Sequence, residues 1–145
     1  MSNASNMFVQ GPISPDTVST SIARHQSKTG IGGHSLFLGQ VRADQVDGKT
    51  VAAIEYTAYE QMAEQETEKI REAAFSKFDL ACAHIYHSLG TIAAGELCFF
   101  VFTSSAHRKA ARQANRFLVD QIKEHVPIFG KEIFEDETHQ WKVNQ

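Results

Sequence analysis

A chain of 145 residues, 42% apolar and 21% charged, has the make-up of one ordinary globular domain that buries its core without metals or disulfides. The net charge of −3 argues against a general affinity for nucleic acid, which needs a basic footprint, so local basic clusters are read as sites. No apolar run reaches the roughly 18–20 residues that cross a bilayer. Two cysteines, Cys82 and Cys98, are too few and too far apart in sequence for a zinc or redox motif. The opening MSNASNMFVQGPI lacks the regions of a signal peptide. A single domain over residues 1–145 is expected, with residues 1–7 disordered or a cloning remnant, in the cytoplasm.

Ser14-Pro15-Asp16 is a helix start, with a capping hydroxyl, proline at the first helical position and an acid in the first turn. The helix is expected to run to about Lys28 with Val18 and Ile22 inward, before Gly30, Gly32 and Gly33 break it. His34–Val41 reads as a strand and Val51 to about Tyr59 as a second. The two look like a hairpin, with a loose loop at Arg42–Lys49 and a turn at Asp47-Gly48. Glu60–Phe78 has helical spacing at Ala63, Thr67, Ile70, Ala74 and Phe78. Leu80–Leu89 and Glu96–Thr103 read as strands joined through Gly90 and Gly95. The run LCFFVF (Leu97–Phe102) is apolar on both faces, hence central and covered on both sides. A long amphipathic helix follows, capped by Ser104 or Ser105, with Ala110, Ala114, Phe117, Leu118 and Ile122 as its stripe and Pro127 as its stop. The tail from Lys131 to Val143 reads as a short hairpin around Glu135-Asp136-Glu137. The order α-β-β-α-β-β-α-β-β suggests an α+β sandwich.

Three constellations can carry chemistry. His107, Arg108 and Lys109 crowd cations into a helix start that is already electropositive, which suits an anion; the alternative is a solvated turn. Lys123 and Lys131 bracket Pro127 and can be solvated lysines, or, near other cations in a partly closed pocket, a lysine with a lowered pKa. Arg42 ends a strand just after Gly39, where either a ligand or solvent meets it. His84 and His87 point to opposite faces of a strand and cannot chelate one metal together. Cys98 reads as inert core, Cys82 has no basic neighbour in sequence, His34 reads as structural, and Trp141 as a packing anchor.

The succession FLGQVR, HSLGTIAAGE, VFTSSAHRKAA and the segment Asp120–Glu132 resembles the large, catalytic-subunit (MoaE) family of molybdopterin synthase, over roughly His34–Trp141. The resemblance implies an α+β fold of the hammerhead type, an α/β sandwich with an antiparallel sheet and an additional small β subdomain. It implies a homodimer with a small ubiquitin-like sulfur-carrier subunit on each copy, a heterotetramer in all. The activity implied is that of a sulfurtransferase of molybdenum cofactor biosynthesis. The carrier's Gly-Gly thiocarboxylate gives sulfur to cyclic pyranopterin monophosphate, forming the dithiolene of molybdopterin, with no cofactor, metal, nucleic acid or membrane. Residue by residue, the resemblance implies substrate binding by Gln40, Val41 and Arg42, phosphate contacts from His107 and Arg108, catalysis by Lys123, and a pocket completed by Gly130, Lys131 and Glu132.

The chain departs from the family at Gly130, where a lysine is usual. Either Lys131, next in line, takes that role as a second catalytic lysine, or a residue elsewhere does; a one-residue slip in a strand reverses side-chain direction. His107 and Lys123 stand about 24 Å apart along one helix, too far for one small ligand. The expectation is therefore that His107 and Arg108 serve the neighbouring subunit's Lys123. Two other readings are a non-catalytic module that docks a ubiquitin-like tail or phosphorylated ligand, and a phosphate-ester enzyme; the latter lacks a metal-ligand set in sequence.

Overall fold

The computed structural model describes residues 7–143. Its elements are β1 (Phe8–Gln10), α1 (Pro15–His25), β2 (Gly33–Gln40), β3 (Gln45–Val46), β4 (Lys49–Ala58), α2 (Glu60–Lys77), β5 (Cys82–Ala93), β6 (Leu97–Ser105), α3 (Arg108–His125), β7 (Ile128–Phe134) and β8 (His139–Trp141). The strands form one sheet in the order β2-β6-β5-β4-β7-β8, with β1 on β5 and β3 on β4. Every ladder is antiparallel except β1 on β5. This is the expected α+β class, and β3 and β7 pair with β4, with β8 added on β7, as its small β part. Of residues 1–7 only Met7 is described, and it corrects the expectation of disorder: it is buried in the core and its carbonyl accepts from the His87 amide at 2.8 Å. Residues 1–6 lie outside the described residues.

β6 is central, as its two-sided apolarity requires, and is buried from Cys98 to Ser105. Phe100 and Phe102 join Ile13, with Val18 of α1 packed against them. Phe99 and Val101 belong to the main core with Leu118 and Ile122 of α3 and Ala63, Ile70 and Ala74 of α2. Helix α2 starts where the spacing places it and buries Ala63, Thr67, Ile70 and Ala74. Polar ties fix α3 on the sheet: Asn115 Nδ2 donates to the carbonyls of Ser35 (2.9 Å) and Val101 (3.0 Å), and Thr103 Oγ1 to that of Ala111 (2.7 Å).

Three expectations fail. The strands before and after Arg42 do not form a hairpin: β2 lies at the sheet edge on β6, and β4 pairs with β5, β7 and the two-residue β3. The tight turn at Asp47-Gly48, both at positive φ, closes only that short β3–β4 ribbon. Ser104 and Ser105 do not cap α3. They continue β6, with Ser104 paired to His34 on one side and Cys82 on the other, and the N-cap is His107 without a side-chain cap bond. Helix α1 keeps its Ser14 cap, which accepts from the Asp16 amide at 3.1 Å, but it ends at His25, and Ile22 is 37% exposed. The inward residue of its last turn is His25, buried and bonded through Nδ1 to the Ser21 carbonyl at 2.7 Å.

Candidate functional site

Chemistry-bearing residues separate onto the two ends of α3. At its C-terminal end, a cleft of about 900 Å³ lies between the end of β2, the last turn of α3, β7 and the segment after β8. The strand end contributes Gln40, Val41 and Arg42, α3 contributes Lys123, β7 contributes Gly130 and Glu132, and the tail contributes Lys142. Cys98, Phe99, Tyr56 and His87 are also part of its wall. The geometry thus brings together six of the sequence-predicted residues: Gln40, Val41, Arg42, Lys123, Gly130 and Glu132.

Lys123 projects from the last turn of α3, with Nζ 5.7 Å from the centre of the Phe99 ring. Partial desolvation in the cleft is the largest influence on its ammonium and pulls its pKa below the ordinary lysine value. Cys98 opposes this, while Lys142 and Arg42 add to it as like charges. The lowered pKa enlarges the fraction of neutral amine near pH 7. Arg42 is exposed and meets Asp44 at 3.2 Å. Beneath them the wall is sealed by groups that stay neutral. Burial pushes the Tyr56 phenol and the Cys98 thiol above their ordinary values and depresses His87 to about 4. Tyr56 OH donates to Cys98 Sγ at 3.5 Å, and His87 Nδ1 bonds the Ser88 carbonyl at 2.8 Å. Cys98 is buried core, as expected from the sequence, and its thiol also forms part of the cleft wall. Glu132, buried, accepts from Gln140 Nε2 at 3.1 Å.

Lys131 is not brought into this group. Strand alternation turns it to the face opposite Gly130 and Glu132, where its Nζ meets Glu55 Oε1 at 3.1 Å and lies 5.9 Å from the Trp141 ring centre. Gly130 lies against Tyr56: a Cβ there would meet Ile54 Cγ2 at 3.0 Å and Tyr56 Cε1 at 3.2 Å. Trp141 is 61% exposed at the cleft rim instead of anchoring the last hairpin inside the core. Lys142 was missed by the sequence reading. Its only signal was a cation one residue past an exposed aromatic, and its place in the cleft depends on how the tail folds back: the Lys142 amide donates to the Gly130 carbonyl at 2.8 Å.

At the other end of α3, His107, Arg108, Lys109 and Arg112 surround a shallow recess floored by Gly32 and Ala106. Gly32 is required here, because a Cβ would fall 2.1 Å from the Ala106 carbonyl oxygen. All four basic side chains are exposed, and no ion pair among the described residues engages them. His107 and Arg108 are thus grouped with each other but not with Lys123.

A family model described as MoaE protein matches residues 8–125. A molybdopterin synthase catalytic subunit from Drosophila grimshawi is 43% identical over 115 residues, covering 78% of this chain and 32% of the fly protein; the chain thus spans about a third of that relative's length. A crystal structure of molybdopterin synthase from Staphylococcus aureus superposes with a TM-score of 0.80 at 29% identity, covering 95% of this chain and 96% of that one. A complex of subunits 1 and 2 of molybdopterin-converting factor from Helicobacter pylori, 19% identical, shares the fold with a TM-score of 0.78, covering 92% and 87%.

Proposed function

The chain belongs to the MoaE protein family, and from that premise we propose that it is the catalytic subunit of a molybdopterin synthase, a sulfurtransferase acting in the cytoplasm. It takes sulfur from the thiocarboxylated C-terminus of a small ubiquitin-like carrier and places it on cyclic pyranopterin monophosphate to build the molybdopterin dithiolene. The working assembly is a homodimer with two carriers, and the reaction uses no cofactor beyond these reactants. The observation that carries this reading is the convergence of Lys123, Arg42 and Lys142 on one cleft, with Lys123 holding a lowered pKa.

A thiocarboxylate tail and a cyclic phosphate are both anions. Arg42 and Lys142 supply positive charge where they meet, and Arg42 offers a planar fork suited to an oxyanion. Lys123, its pKa lowered by the cleft, serves as proton acceptor or transient nucleophile while sulfur replaces oxygen. The neutral wall of Tyr56, Cys98 and His87 lowers the local dielectric and strengthens these charges. No cysteine nucleophile is needed, because the sulfur arrives on the carrier. Lys142, and not Lys131, takes the place of the cation missing at Gly130. His107 and Arg108 grip the phosphate in the neighbouring subunit's cleft, since within one chain they stand at the far end of α3.

The test is a reconstituted reaction of this chain with thiocarboxylated carrier and cyclic pyranopterin monophosphate. Molybdopterin formation is expected. Binding of both reactants without turnover would overturn the catalytic reading in favour of a docking module.

A further inference from the structure

A second group of reactive side chains lies away from the cleft, on the face of the sheet covered by α1. Cys82 and His84 sit two residues apart on β5 and so share a face. The last turn of α1 lowers His25 onto them. His25 Nε2 is 3.1 Å from His84 Nε2, and the ligand atoms of His25, Cys82 and His84 all lie within 4.8 Å of one another. His25 and Cys82 are buried, and His84 is half-buried.

The tautomer of His25 is fixed by its other nitrogen. The Ser21 carbonyl can only accept, so Nδ1 donates to it across 2.7 Å, and Nε2 of the neutral ring presents a lone pair to the cluster. A backbone carbonyl holding the far nitrogen is the usual orientation of a metal-binding histidine. In a tetrahedral site with bonds of about 2.0–2.1 Å to nitrogen and 2.3 Å to sulfur, ligand atoms stand about 3.3–3.7 Å apart. The observed spacing needs only small rotamer adjustments to reach that.

We propose that His25, Cys82 and His84 form a binding site for a borderline-soft divalent cation of the zinc class, separate from the sulfur-transfer cleft and independent of the function assigned to it. Two imidazoles and a thiolate select such an ion over magnesium or calcium. Metal-free, the His84 Nε2–H donates to His25 Nε2. On binding, the His84 proton passes from Nε2 to Nδ1, the Cys82 thiol releases one proton to solvent, and three protein–metal bonds form. Lys28 Nζ, 3.1 Å from Cys82 Sγ, moves aside on its exposed stem and leaves the fourth position to water. The bound ion then ties α1 to β5. Two distant cysteines and a His84–His87 pair on opposite faces hide such a site in the sequence; His25 is 57 residues away from Cys82 and is supplied by the end of α1.

The experiment is titration of the purified full chain with Co²⁺ alone, followed by Zn²⁺. One equivalent of cobalt is expected to give a thiolate-to-metal charge-transfer band and tetrahedral visible bands, both displaced by zinc. Cys82→Ser is expected to lose the charge-transfer band, and Cys98→Ser to keep it. His25→Ala and His84→Ala are each expected to lose the tetrahedral bands. Zinc should also raise the melting temperature of the wild-type chain. Absence of a thiolate band in the wild type overturns the proposal whether or not the variants fold, and so does its persistence in Cys82→Ser or loss in Cys98→Ser.

Discussion

The two ends of α3 both carry cations, in opposite circumstances. At the C-terminal end Lys123 rests over Phe99 in a cleft walled by buried Cys98 and His87, and desolvation pulls its pKa down. At the N-terminal end His107, Arg108, Lys109 and Arg112 ring a recess open to solvent. Positive charge at a helix C-terminus is favoured and at an N-terminus disfavoured, yet partial desolvation reverses the consequence. The favoured cation is the one whose charged form is weakened by partial desolvation, and the disfavoured cations stand exposed around the recess. One end is therefore suited to proton transfer and the other to holding an anion.

Lys123→Ala probes the first half of that contrast. Loss of a proton-transfer group costs about 10²- to 10⁴-fold, so molybdopterin formation should fall at least about 10²-fold while the carrier still binds. Near-wild-type turnover would remove the cleft end from the chemistry. The next experiment tests whether the two ends meet across subunits. Arg108→Ala chains should lose substrate affinity, since a charge-assisted hydrogen bond disappears, yet mixing them with Lys123→Ala chains should restore activity. In a freely exchanging equal mixture, about a quarter of the sites pair an intact Lys123 with an intact Arg108 of the neighbour. No recovery on mixing would place both residues in the same subunit's site, against the 24 Å separation estimated from about 1.5 Å per residue.

Lys142 sharpens the cleft end. It pushes the Lys123 pKa down as a like charge, so Lys142→Ala should raise that pKa and move the ascending limb of the pH–rate profile to higher pH. Turnover at neutral pH should drop, because less of the Lys123 amine is then neutral. An unshifted limb would separate Lys142 from Lys123.

A smaller effect distinguishes the two ends by acid. His87 in the cleft wall has a pKa near 4, depressed chiefly by burial, against 6.5 when exposed. The unfolded chain therefore takes up this proton first as pH falls, and the folded chain resists it. Stability is full above about 6.5 and declines through the window down to about 4, by about 1.4 kcal/mol per pH unit while the two states differ by one proton. His84, held near 4 chiefly by burial as well, adds its own share in the same window, so urea unfolding at stepped pH should show the sum and His87→Gln should reduce the slope without abolishing it. An equal slope in the variant would assign the acid sensitivity elsewhere.

Local patterns were legible in the sequence and long-range ones were not. The α2 stripe was readable because every buried residue lies at a 3.6 spacing within one segment. The two-sided burial of β6 was readable for the same local reason. The β2 partner was not, because a strand's own residues encode its faces and not its neighbour, and Ser104 and Ser105 resembled caps only until β2 and β5 claimed them as ladder positions. Among site residues, Arg42, Lys123, Gly130 and Glu132 came with the family resemblance. Lys142 and His25 did not, since each reaches its cluster through a chain reversal: the tail folding back on Gly130, and α1 laid across β5.

Lys131 is where a local rule overrides proximity in sequence. It adjoins Gly130, but alternation along β7 places it opposite Glu55, on the side away from Lys123. The pair is half exposed, and ion pairs of this kind contribute about 0–1 kcal/mol. Lys131→Ala should therefore leave turnover within about twofold of wild type, a change equivalent to a few tenths of a kcal/mol, and cost at most about 1 kcal/mol of stability. The sharper control is Glu55→Gln, which releases Lys131 without removing it. If turnover collapses in Lys131→Ala and not in Glu55→Gln, the ammonium itself is reaching the reactants, and the cleft's second cation has to be sought on this face of β7 instead of at Lys142.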